Sequence, residues 1–139
     1  MSDAAPQLTG VTVLINAGDD GMDGNSSLKL FLENVDYSGD TNPTTYQGIW
    51  NATRGGYFDP NSTVPPFPMQ WTGWRLGKPD INRGTKLRME ISAVGRDVLK
   101  GNVALQFSFI DGSTAMSNRQ DFIIGTFHQP WRIYLDIHI

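Results

Sequence analysis

The amino-acid sequence predicts an all-β domain, an antiparallel β-sandwich of jelly-roll or Ig/C2-like type with about seven or eight strands and little helix. Three runs carry that expectation. Leu87, Met89, Ile91 and Ala93 alternate with polar neighbours, as do Val103, Leu105, Phe107 and Phe109, and finally Trp131, Ile133, Leu135, Ile137 and Ile139. A period of two means a strand with one face buried and the other wet. No segment shows the i, i+3, i+4, i+7 spacing of an amphipathic helix over three turns.

The elements follow in order. Residues 1–7 read as a flexible tail, and residues 8–139 as a single sandwich domain. The first strand, 8–16, centres on the β-branched cluster Val11, Thr12, Val13 and Ile15. Residues 17–26 (AGDDGMDGNS) form a loop by composition, since Gly, Asp and Asn tolerate turn conformations. Leu28, Leu30 and Leu32 mark a second strand, followed by a loop over 36–45. Residues 46–84 are irregular and rich in aromatic residues, Gly and Pro, with short strands expected near 46–52 and 69–75. Loops this long within a compact domain are often functional. Strong strands follow at 85–94, 102–110 and 130–139, and a weaker one at 120–127. Asp111-Gly112 is a turn signal, but the distance to the next strand suggests a loop rather than a tight hairpin.

Composition narrows the function classes. A chain of 139 residues without cysteine must hold together through one packed core. No apolar run approaches the roughly 20 residues of a membrane-spanning helix. The N-terminus has neither the basic start nor the apolar stretch of a signal peptide, so cytoplasmic synthesis is expected, with release and extracellular action left open. Asn25, Asn51 and Asn61 head N-glycosylation sequons, expected to be silent without an export signal. Net charge is −3, split between −6 for residues 1–70 (two basic, eight acidic) and +3 for residues 71–139 (nine basic, six acidic). Overall acidity argues against a nucleic-acid partner, whose phosphates demand a cationic surface.

Two candidate sites emerge. In the acidic loop, Asp19, Asp20, Asp23 and Asn25 cluster among glycines, the oxygen-rich chemistry that Ca²⁺ requires. Gly21 stands where an EF-hand places a ligand and the closing glutamate is missing, so this is not an EF-hand. Asp36 or Asp40 could complete a site; a polar turn without metal is the alternative reading. Residues 11–32, VTVLINAGDDGMDGNSSLKLFL, resemble the opening of PLAT/C2-type lipid-interacting sandwiches, in which strand, Gly/Asp loop and strand follow one another. The rest of the chain does not follow that pattern.

The second candidate lies in the 46–84 segment: Trp50, Tyr57, Trp71, Trp74 and Arg75. Aromatic rings with polar handles stack on sugars, sit at bilayer interfaces or anchor partners. In a regular strand Trp71 and Arg75 share one face while Trp74 takes the other. Lys86, Arg88 and Glu90 form a charged stripe opposite the apolar face of their strand. Such a stripe meets phosphate headgroups or acidic glycans, or is simply a solvated face.

Catalytic chemistry finds no motif. His128 and His138 fall on different elements, and no nucleophile elbow or phosphate-binding glycine loop occurs. The expectation is a non-enzymatic, lectin-like carbohydrate-binding domain. A membrane-binding toxin or toxin component is the first alternative, and a structural subunit of an assembly the second. Weak single sites favour multivalency, so a homo-oligomer is a further expectation.

Overall fold

The computed structural model describes residues 7–22, 26–34, 50–55, 58–71, 77–93, 95–126 and 128–139, and for Trp71 the backbone only. Among the described residues ten strands form two antiparallel sheets packed face to face, as the alternating runs require. The strands are β1 (Leu8–Ala17), β2 (Ser27–Asn34), β3 (Trp50–Gly55), β4 (Phe67–Pro68) and β5 (Gln70–Trp71), then β6 (Thr85–Ser92), β7 (Val98–Phe109), β8 (Thr114–Met116), β9 (Gln120–Gly125) and β10 (Arg132–Asp136). Among the described residues the only helix is a 3₁₀ turn at Lys78–Asn82, and none is long and apolar enough to cross a membrane.

The first sheet runs β4-β1-β7-β8, with β9 pairing the same edge of β7 further along. The second runs β10-β6-β2-β3-β5. Between them lies one core, built from Val11, Val13 and Ile15 of β1, Leu28, Leu30 and Leu32 of β2, Leu87, Met89 and Ile91 of β6, and Leu99, Val103, Leu105, Phe107 and Phe109 of β7. These are the positions that the period of two assigns to the inside.

Three details depart from the sequence expectation. An unexpected short strand precedes the 69–75 stretch: β4 pairs β1 in one sheet, while β5, in the described part of that stretch, pairs β3 in the other, so the chain changes sheets at the buried Met69. The Asp111-Gly112 turn is a tight hairpin into β8, closed by Gly112 N–H on the Phe109 carbonyl with Gly112 at φ +86°. Three residues, Thr114–Met116, are too few to show an alternation. Trp131 is 51% exposed rather than core, although its carbonyl still accepts the Ile91 N–H at 2.9 Å, and its ring lies against the Arg132 guanidinium. Ile137 is buried, and Ile133 and Leu135 are half-buried.

Arg88 also departs. Its position on β6 faces away from the core, where a wet side chain is expected, yet its side chain is only 8% exposed.

Candidate functional site: one end of the sandwich

The residues singled out by sequence fare differently. Trp50 is buried in the core at the start of β3, and its Nε1 has no hydrogen-bond partner among the described residues. A ring so covered offers no surface to a ligand. The backbone of Trp71 pairs with Trp50. Tyr57, Trp74 and Arg75, like Asp23, Asn25, Asp36 and Asp40, lie outside the described residues. Asp19 and Asp20 are described, and both face the Lys100 ammonium, at 3.8 and 3.3 Å. The charge they meet belongs to the protein itself. Among the described residues no group of three or more His, Asp or Glu could hold a metal ion.

The two stretches that the sequence presents as separate candidates are laced together. Met22 and Phe58 exchange backbone hydrogen bonds at 3.1 and 2.8 Å. Asn61 N–H donates to the Gly18 carbonyl at 2.6 Å, Ala17 N–H to the Ser62 carbonyl at 2.8 Å, and Val64 N–H to the Ile15 carbonyl at 2.9 Å. Residues 58–66 therefore run along the edge of β1 and hold residues 17–22 of the acidic loop beside it. The approach is close enough to dictate a glycine: a Cβ on Gly21 would stand 1.9 Å from the Phe58 carbonyl oxygen. Asn61 turns the chain with φ +56°, a conformation that Asn tolerates better than most residues.

Beside this segment opens a pocket of about 140 Å³, lined by Arg54, Phe58, Asp59, Ser62, Thr63, Val64 and Pro65. Arg54 is its cation. On β3 the inward positions are Trp50, Ala52 and then Arg54, so the register that buries the first two sends the arginine toward the interior as well. At that point the strand is ending, and the interior has become the mouth of the sandwich. The Arg54 Nε is sealed from water without an acceptor. Ser62 Oγ–H donates to the Asp59 carbonyl at 2.6 Å, which fixes the hydroxyl and leaves its lone pairs available. Guanidinium, carboxylate and two hydroxyls thus surround a small space floored by apolar carbon.

No family model, curated protein or solved structure matches this chain. A second surface of this chain is also built from charged and aromatic side chains.

That surface is the outer face of the second sheet. Arg88 at its centre meets Glu33 at 2.9 Å and Glu90 at 3.2 Å, and stacks 4.2 Å from the Phe31 ring centroid. Glu33 Oε1 and Arg88 Nε make no well-aligned hydrogen bond despite these separations, so the contact is chiefly coulombic. Arg132 donates from Nε to Glu90 at 2.8 Å and covers the Trp131 ring at 4.3 Å. Lys86 pairs with Asp136 at 3.5 Å. Burial pushes the Glu33 carboxyl above its ordinary range, with the Arg88 charge pulling the other way. Tyr134, directly across from Arg88, is 51% exposed. The face is an alternating charge network with two open aromatic rings at its β10 edge.

Arg54, Asp59, Ser62 and Thr63 are not among the ligand residues that the sequence singles out in the 46–84 segment. The available signal was parity: Arg54 falls two residues after Ala52 and four after Trp50.

Proposed function

We propose that this chain is a non-enzymatic glycan-binding domain whose site is the pocket at the end of the sandwich. The observation that carries the reading is the lining itself: Arg54, Asp59, Ser62 and Thr63 converge beside Phe58, Val64 and Pro65. A sugar ring presents hydroxyls that need directional donors and acceptors, and C–H faces that need apolar contact. Both kinds of surface meet here, and few-residue polar convergence in an apolar recess is the usual form of a small-molecule site. A volume of about 140 Å³ suits one terminal ring rather than an extended chain.

A glycan array probed with the labelled full chain tests the reading, followed by calorimetry on the best binder. Asp59→Asn and Thr63→Val should each weaken binding about tenfold, the value of one lost charge-assisted or buried hydrogen bond. Their melting temperatures should stay near that of the wild type. Binding unaffected by both substitutions would place the ligand elsewhere.

A membrane surface is the second reading, favoured by the exposure of Trp131 and Tyr134 around Arg132. Interfacial rings beside a cation suit lipid headgroups. Co-sedimentation with anionic and zwitterionic vesicles, lost in Trp131→Ala, would support it.

A further inference from the structure

Resting on that reading, we infer that the pocket selects an anionic sugar, with Arg54 receiving the acidic group. A cation directed toward the interior is expensive unless it is compensated. Arg83, Arg88 and Arg132 each meet a carboxylate, and Arg119 donates to the Asn102 side chain at 2.6 Å. Arg54 meets no carboxylate among the described residues. Asp59 lines the same pocket and yet stands beyond ion-pairing distance. The two charges therefore address different parts of a shared space.

A guanidinium in that position is a planar fork matched to a carboxylate, which it binds through two parallel hydrogen bonds. Asp59, acceptor only when ionised, suits a hydroxyl donor on the same ring. Thr63 adds a donor and acceptor, and Ser62, its proton already committed to the Asp59 carbonyl, adds an acceptor. A ring bearing both an acid and free hydroxyls satisfies all four groups, whereas a neutral ring leaves the charge of Arg54 unmatched. Inorganic anions satisfy Arg54 alone.

The decisive comparison uses methyl glucuronide and methyl glucoside, which differ only in a carboxylate against a hydroxymethyl group, with a sulfated glucoside and a sialylated glycan as further arms. With the full wild-type chain, at least one acidic ligand should bind about tenfold or more tightly than its neutral counterpart, and that margin should shrink with added salt. Preference for carboxylate over sulfate identifies the planar acid as the group read. Arg54→Gln should erase the margin while Asp59→Asn lowers acidic and neutral binding together. Arg54→Lys, which keeps charge without the fork, should retain part of it, and serves if the Gln variant fails to fold. Neutral rings bound as well as acidic ones, or a margin preserved in Arg54→Gln, would overturn the inference and leave glycan binding intact. No binding of any sugar would overturn both.

Discussion

Arg88 shows how a single side chain can be displaced from its expected setting. Alternation along β6 assigns it to the wet face, but Phe31, Glu33 and Glu90 close over it. Removing the cation while leaving its carboxylates should cost about 3 kcal/mol or more, the penalty of an orphaned partner. Urea unfolding of Arg88→Met at pH 7 measures it. Glu33 adds a dependence on pH. Its folded-state affinity for a proton is raised by burial above the ordinary value of 4.5, so the native state binds that proton more tightly than the unfolded chain. Its contribution favours the fold in acid and is lost as pH rises from about 4.5 through the raised value. Glu33→Gln should remove that decline from the stability profile, and Arg88→Met should steepen it, because the attraction opposing burial is gone. Identical slopes in all three proteins would contradict the assignment.

Elements differ in how plainly the sequence writes them, and the reason is length. β1, β2, β6 and β7 each carry three or more alternating apolar residues, and their inward faces match the period of two. Phe107, fully buried on β7, should cost about 3–5 kcal/mol when cut to Ala. Trp131→Ala should stay within about 0.5 kcal/mol, as exposed positions do. Alternation marks Trp131 as core, yet its ring lies exposed against the Arg132 guanidinium. The same holds for Arg54, where inward parity at a strand end means a mouth and not a core. β8 and the β4–β5 crossing are too short for any period, and their sheet membership comes from tertiary pairing alone. The linkage of residues 18–22 to residues 58–62 was invisible for a related reason: it consists of backbone hydrogen bonds, which any residues could make. Gly21 is the exception. Gly21→Ala should destabilise the chain by about 2 kcal/mol and weaken glycan binding with it, since the added methyl drives the two loops apart. Circular dichroism melts and calorimetry on the same sample check both effects.

At the scale of the molecule, two edges of the sandwich are covered and one end carries a recess among the described residues. Pro65, Pro66 and Pro68 line the stretch along β1, where they offer no N–H to a further strand. At the β10 edge, Gln120 and Asn118 side chains donate to the Asp136 carbonyl at 2.6 and 3.3 Å, and His138 exchanges hydrogen bonds with Asn118. A homo-oligomer joined through these edges, one of the expectations raised by the sequence, would have to displace them. The end bearing residues 18–22 and 58–66 is different: it combines a recess, an inward cation and fixed hydroxyls, and there the glycan reading stands or falls. Amide shift mapping of the ¹⁵N-labelled full chain, titrated with the tightest sugar from the array, locates the ligand directly. Shifts should cluster at Arg54, Asp59, Ser62 and Thr63 and fade with distance along β1 and β3. A cluster at Trp131, Arg132 and Tyr134 instead, or no saturable shift anywhere, would contradict the assignment of the pocket as the binding site.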